Sequence, residues 1–157
     1  MKFSPLLFVC LAFAPAVADA CSCLPPGAPQ KELEASDRVF LGTATSVEIR
    51  CERGTKLFVR LPGEGAEVVC ATPAGEETGF PLKIARFFVS ENFKGSGAEA
   101  TIQTELYGAM CGVEFVAGEE YVVYAKRKDG VLSTSLCSRT GVATESETGL
   151  IDLRGGG

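Results

Sequence analysis

The stretch RVFLGTATSVEIR, residues 38–50, has the residue pattern that decides the fold class of this chain. Consecutive side chains of a β-strand point to opposite faces, so residues at every second position share one face. β-Branched residues pack well on such a pleated surface and favour strands. The pattern predicts a long strand over 38–50, with one apolar or β-branched face. That face consists of Val39, Leu41, Thr43, Thr45, Val47 and Ile49.

Further strands are predicted on the C-terminal side of this one. PLKIARFFVSENF (81–93) is an apolar, aromatic run that ends at a glycine-rich turn, and ATIQTEL (100–106) alternates apolar and polar residues. EYVVYAKRK (120–128) and VLSTSLC (131–137) flank Asp129-Gly130, a strong hairpin signal. About five strands separated by turns favour a small closed barrel.

Two short helices are expected beside these strands. PQKELEASD (29–37) precedes the first strand and has the composition of a turn or two of helix. Near the end of the chain, Thr144 and Glu147 form a possible capping box ahead of an apolar helix face. The fold class expected from the residues is therefore all-β with flanking helices.

The first 20 residues have the organisation of a secretory signal peptide. Lys2 is followed by an apolar run over 5–18, and Ala18-Asp19-Ala20 supplies the small residues of a cleavage site. The run is interrupted by prolines and is shorter than the roughly 20 residues that a membrane-spanning helix needs. We predict a signal peptide over 1–20, a mature protein that begins at Cys21 and is secreted or periplasmic, and no membrane span.

Removing 20 of the 157 residues leaves 137, which suits one ordinary domain. We expect that domain to cover residues 21–153, followed by a flexible tail over 154–157, and we expect a monomer. The net charge is −5, and no basic run is present to follow a phosphate backbone, so a nucleic-acid partner is not expected.

The chain contains no histidine, which removes the usual nucleophilic triads and the commonest metal ligand. Its carboxylates occur singly or in pairs such as Glu76-Glu77 and Glu119-Glu120, which are typical of solvated surface charge. We therefore expect no enzyme activity, no cofactor and no intrinsic metal ion.

Six cysteines remain after the predicted cleavage: Cys21, Cys23, Cys51, Cys70, Cys111 and Cys137. An even number in an exported chain indicates three disulfides, because that compartment allows them to persist. Six cysteines allow 15 pairings, and parity does not choose among them. Cys51 and Cys70 bracket a glycine-containing segment that suits a hairpin or a loop, so their mutual pairing is the simplest local choice.

The chain resembles the netrin-like domains, and more narrowly the amino-terminal domain of the tissue inhibitors of metalloproteinases. The resemblance spans about residues 21–140, with an insertion between the first two barrel strands. It is carried by an ordered set of short motifs: Cys21-Ser22-Cys23, Val39-Phe40 with Gly42, Phe93-Lys94-Gly95, Cys111-Gly112-Val113, Gly118 before Tyr121-Val122-Val123-Tyr124-Ala125, and Leu136-Cys137.

The resemblance implies a five-stranded OB-fold barrel with flanking helices, and it implies a disulfide pattern. In the family, the first cysteine pairs with that of Cys-Gly-Val and the next with that of Leu-Cys. Carried over here, Cys21 pairs with Cys111 and Cys23 with Cys137, which leaves Cys51 for Cys70. The inhibitors place their own third bridge elsewhere, since they use a cysteine soon after Cys-x-Cys that this chain lacks.

The resemblance also implies a function, the inhibition of zinc metalloproteinases. The free α-amine and the carbonyl of Cys21 would chelate the zinc of the protease, and Ser22 would point into its specificity pocket. The remaining residues expected to contact the protease form a ridge with them, and they are Cys23, Leu24, Pro25, Ala109 and Met110.

Two other interpretations stay open at this point. The chain suits a netrin-like interaction module with a different protein partner, in which Cys-Ser-Cys is only structural. A cysteine directly after a bacterial signal sequence can also be lipidated, although Ala18 and Asp19 do not match the usual lipobox and lipidation would leave an odd number of thiols.

Overall fold

The computed structural model describes residues 21–51, 56–60 and 67–155. The predicted signal peptide and the last two residues of the predicted tail lie outside the described residues. The strands are β1 (Arg38–Arg50), β2 (Lys56–Arg60), β3 (Glu67–Ala71), β4 (Glu77–Gly79), β5 (Leu82–Lys94), β6 (Glu99–Glu105), β7 (Glu120–Lys128), β8 (Val131–Ser133) and β9 (Gly141–Val142). The α-helices are α1 (Pro29–Ala35) and α2 (Glu147–Gly155).

Five strands close into a barrel in the order β1-β5-β6-β8-β7, and β7 returns to pair with β1. The pairing of β6 with β8 is parallel, at Gln103 and Ser133, and the other pairings around the barrel are antiparallel. A closed barrel of five strands is compatible with an OB-fold. The fold class predicted from the sequence, an all-β barrel with flanking helices, is confirmed.

The barrel interior is filled by inward-facing side chains of all five strands. Phe87 lies at its centre and packs edge-to-face with Phe40, Phe115 and Tyr121, at ring-centroid distances of 5.4, 5.2 and 6.2 Å. Edge-to-face packing aligns the positive edge of one ring with the negative face of the next. Apolar burial in this cluster holds the barrel together.

A second apolar cluster covers the outside of the barrel. Val39 and Leu41 of β1 lie there with Val122 of β7, packed under Leu150 and Leu153 of α2. β1 therefore buries both of its faces near its start, because one faces the barrel interior and the other faces a helix.

This double burial corrects the single apolar face predicted for residues 38–50. The pairing of β1 with β5 shifts register at three places, and Thr45 and Ile49 of the predicted face are exposed. Gly42 explains one of these shifts, since a Cβ there would lie 2.7 Å from the backbone oxygen of Phe88. Only glycine allows β5 to approach this closely.

The insertion between the first two barrel strands is a three-stranded antiparallel sheet in the order β2-β3-β4. Its hairpin form was one of the two structures expected for this segment. A disulfide joins Cys51, at the end of β1, to Cys70 of β3, which is the local pairing favoured by spacing. The hydroxyl of Tyr107 accepts a hydrogen bond from the N–H of Val68 at 2.8 Å and donates one to its carbonyl at 3.2 Å. These two bonds attach the small sheet to the barrel.

The predicted ends of two elements differ from the structure. Asp129 and Gly130 form the expected hairpin turn, with φ values of 51° and 83°, but β8 ends at Ser133 and not at residue 137. Helix α2 continues to Gly155, two residues beyond the predicted domain boundary. Among the described residues, no helix is long and apolar enough to cross a bilayer.

Candidate functional site

The segment 21–28 runs over the barrel surface without burying any of its side chains. Cys21 is bonded to Cys111 and Cys23 is bonded to Cys137, which is the pairing that the family resemblance implies. Because apolar burial contributes little here, the two disulfides are what fixes the position of this segment. Three disulfides in one chain are typical of proteins from an oxidising compartment.

Cys111 belongs to a tight loop after β6. A 3₁₀ turn over Gly108–Met110 places Cys111 in the left-handed conformation at φ 65°, and the N–H groups of Cys111 and Gly112 donate to the carbonyls of Gly108 and Tyr107. A Cβ on Gly112 would lie 2.1 Å from the carbonyl oxygen of Glu105, which only glycine avoids. The conformation of the loop to which Cys21 is bonded is therefore fixed by hydrogen bonds and close packing of the loop's own backbone.

A buried lysine and a buried threonine support this loop from inside the barrel. Lys83 donates to the carbonyl of Val113 at 3.3 Å and to the carboxylate of Glu114 at 2.6 Å. Thr104, its partner on β6, accepts a hydrogen bond from the N–H of Val113 at 3.0 Å. These bonds satisfy polar groups that would be costly to bury alone.

Cys137 lies in a turn that three hydroxyl groups hold in place. Thr134 Oγ1 lies 3.0 Å from Ser138 Oγ and 2.7 Å from Thr140 Oγ1, and it donates to the carbonyl of Tyr124 at 2.8 Å. Short polar side chains compete with strand hydrogen bonding in this way, which explains why β8 stops early. The hydroxyl groups turn the chain so that Cys137 meets Cys23.

The N-terminal segment gains further hydrogen bonds after Cys23. Arg139 Nη1 donates to the carbonyl of Gly27 at 2.7 Å, and the N–H of Gly27 donates to Oε1 of Glu32 at 2.9 Å. A cavity of about 310 Å³ beside this segment is lined by Pro26, Tyr124 and Arg139 among others. Burial raises the pKa of the Tyr124 phenol there, since an ionised phenol would be poorly solvated.

The Cys21–Cys111 disulfide joins the two segments that contain the predicted contact residues. Ser22, Leu24 and Pro25 follow Cys21 in the sequence and are exposed, with Leu24 88% exposed. Ala109 is exposed and Met110 is half-buried, and the two residues directly precede Cys111. We call these residues, with Cys21 and Cys23, the terminal ridge.

Sequence reasoning missed one neighbour of the terminal ridge. The N–H of Leu136 donates to the carbonyl of Cys111 at 2.8 Å, so Leu136 lies against the loop that is disulfide-bonded to Cys21, and it is 47% exposed. Its position directly before Cys137 was the sequence feature that could have identified Leu136 as a neighbour of the ridge.

Comparison of the chain with known protein families finds no matching family, and no curated protein matches it either.

Proposed function

We propose that this protein is a netrin-like inhibitor of zinc metalloproteinases that is exported, cut before Cys21, and bound to the protease zinc through the α-amine and carbonyl of Cys21. One observation carries the proposal. The exposed segment that the predicted cut would free, with no buried side chain of its own over 21–28, is bonded at Cys21 and Cys23 to two separate loops of the barrel.

Zinc binding by a chain end is chemically reasonable near neutral pH. An α-amine has a pKa of about 7.7 to 8.0, so part of it is unprotonated and able to donate its lone pair. Zinc favours that form further, because the metal competes with the proton for the lone pair. The amine and the carbonyl oxygen of one residue then act as two ligands.

The disulfides raise the affinity by removing the entropy cost of binding. A free chain end would lose about 1 to 2 kcal/mol per residue on becoming ordered. Residues 21–23 are already ordered by their two bridges, so most of this cost is met during folding and not during binding.

The surroundings of Cys21 suit a contact with a protease cleft. Ser22 is small and exposed, so it can approach a zinc-bound site and hydrogen-bond there. Leu24 and Ala109 present apolar surface beside it, and an exposed apolar side chain is the type of group that a substrate pocket takes.

The decisive experiment compares two mature proteins that differ by one residue. One begins at Cys21, as verified by an intact mass that rises by six hydrogens on reduction of its three disulfides. The other carries one additional alanine before Cys21. Both are titrated against catalytic domains of several zinc metalloproteinases, and their thermal unfolding is compared.

We expect the first protein to inhibit at least one of these enzymes and the extended protein to lose that inhibition with an unchanged thermal midpoint. Ile151→Ala is a matched surface control, since Ile151 is 63% exposed on α2, outside the terminal ridge, and should leave inhibition intact. Equal inhibition by the extended protein would refute zinc binding by the terminus. No inhibition by either protein would favour the binding-module alternative.

A further inference from the structure

The four sulfur atoms beneath the terminal ridge form one compact group. The Sγ atoms of Cys21, Cys23, Cys111 and Cys137 all lie within 4.8 Å of one another. Sulfurs of different disulfides are in contact, at 3.7 Å between Cys21 and Cys23 and at 3.8 Å between Cys111 and Cys137. The two disulfides therefore lie side by side, and the sulfurs of Cys23 and Cys137 are on the exposed side.

These separations match the dimensions of a tetrahedral zinc site. Four thiolates at a Zn–S distance of about 2.3 Å lie about 3.8 Å from one another, since that is the edge of the tetrahedron. The two contacts between the disulfides already have this length. The remaining distances between the two disulfides are at most 4.8 Å, so a tetrahedron needs each pair to open by about 2 Å and these distances to shorten by about 1 Å or less.

Contacts other than the disulfides hold two of the four cysteines and limit the reach of the other two. The N–H of Leu136 donates to the carbonyl of Cys111, which joins the two loops that carry Cys111 and Cys137. Arg139 holds the carbonyl of Gly27 at 2.7 Å and so retains the segment that follows Cys23. The Cys111 loop has its own backbone hydrogen bonds. The loops of Cys111 and Cys137 are thus held by contacts other than a disulfide, and the chain that leads from the anchored Gly27 back to Cys23 and Cys21 is only four and six residues long.

We propose that the reduced form of this protein binds one zinc ion through the thiolates of Cys21, Cys23, Cys111 and Cys137. Two equivalents of a dithiol reductant supply four electrons and four protons, open both disulfides to four thiols and become cyclic disulfides themselves. Zinc then replaces the four thiol protons, which pass to the solvent. The proposal is independent of protease inhibition.

The same four residues thus have two alternative forms. In the oxidised protein their sulfurs are disulfides and are not thiolate ligands. In a reducing compartment the zinc ion replaces the two disulfides as the link between the terminal segment and the two loops. Because zinc and protons compete for the thiolates, the affinity falls as the pH is lowered.

The test uses Co²⁺, whose absorption reports both thiolate ligation and tetrahedral geometry. The mature protein is reduced without oxygen, freed of reductant and titrated with Co²⁺, followed by displacement with Zn²⁺. We expect one Co²⁺ per chain, with the thiolate charge-transfer and visible bands of a tetrahedral site, and no such bands in the oxidised protein. Absence of these bands in the reduced protein would overturn the proposal.

Two double variants identify the ligands. Cys51→Ser/Cys70→Ser keeps the four proposed ligands and should bind like the reduced wild type. Cys23→Ser/Cys137→Ser removes two ligands and should weaken binding by a factor of at least about 100. Equal binding by both variants, or stronger binding by the second, would overturn the proposal.

A measurement of folding distinguishes zinc binding at a site formed by the folded protein from zinc chelation by an unfolded chain. Thermal unfolding of the reduced Cys51→Ser/Cys70→Ser variant is followed by circular dichroism with and without Zn²⁺. Zinc should raise the thermal midpoint, because it binds the folded arrangement more tightly than the unfolded chain. Binding without any rise in the midpoint would show that the fold does not place the ligands, and would contradict the proposal.

Discussion

The barrel interior and the terminal ridge are two regions of one domain that are held by different forces. Phe87 in the barrel is 1% exposed and touches three other aromatic rings, whereas Leu24 on the ridge is 88% exposed. Burial provides stability in the first region, and covalent bonds provide position in the second. An exposed surface cannot be fixed by burial, and here two disulfides hold it instead.

The most severe test of this contrast removes one ridge disulfide. Cys23→Ser/Cys137→Ser opens a covalent loop of 114 residues. The chain-entropy relation gives a stability loss of at most about 4 to 5 kcal/mol for such a loop, because the Cys21–Cys111 disulfide stays closed and already shortens it. We expect a large drop in the denaturation midpoint and, if the proposed function is right, a loss of inhibition greater than the unfolded fraction accounts for.

Cys51→Ser/Cys70→Ser is the matched control for that variant. It opens a loop with a sequence separation of only 19, so the expected loss is smaller, about 3 kcal/mol. Inhibition by the folded fraction should persist, because this disulfide does not hold the terminal ridge. Full inhibition by the Cys23→Ser/Cys137→Ser variant would show that the ridge does not depend on its covalent attachment.

Substitutions of two adjacent phenylalanines test whether burial stabilises the barrel. Phe87→Ala should destabilise the protein by about 3 to 5 kcal/mol, because it empties the centre of the core. Phe88→Ala should change stability little, since Phe88 faces outward and is 57% exposed. Denaturant unfolding measures both, and similar losses for the two variants would contradict the assigned core.

The strands show which parts of the fold could be predicted from the sequence and which could not. Apolar and β-branched runs marked β1 and β7 with their observed bounds, because such runs rarely occur outside strands. The face of β1 was predicted wrongly, since its register shifts depend on the approach of β5 at Gly42. The end of β8 was also missed, because the hydroxyl groups that stop it, on Thr134 and Thr140, bond the backbone of Tyr124, which is 10 and 16 residues away.

The candidate site was predictable only through the ordered motifs of a family. Local spacing suggested the Cys51–Cys70 pair, but nothing in the sequence alone separates Cys21–Cys111 from the other pairings. The proximity of the two ridge disulfides, with sulfurs of different bonds 3.7 Å apart, is a property of three-dimensional packing that spacing does not encode.

A smaller effect is expected where the β2-β3-β4 sheet meets the barrel. Tyr107→Phe removes the hydroxyl that bonds both backbone groups of Val68, while the ring can still pack against Phe80 at 6.3 Å. The expected destabilisation is about 1 to 2 kcal/mol, since a partly buried N–H loses its acceptor. Hydrogen exchange of the Val68 amide should accelerate, while amides of the barrel core stay protected. Uniform acceleration across the chain would show that the small sheet does not open separately.

The smallest effect is expected at an exposed ion pair on the barrel wall. A hydrogen bond from Arg50 at 2.9 Å, and then the charge of Arg86, lower the pKa of Glu48 from its usual 4.5. The carboxylate therefore stabilises the fold above the unfolded pKa, and this contribution is lost as the pH falls through the lower folded pKa. Glu48→Gln should reduce the urea midpoint slightly at neutral pH and not at all once wild-type Glu48 is protonated. The difference should shrink further in high salt, because exposed charges are screened. A difference that persists in acid would mean that Glu48 acts through packing and not through its charge.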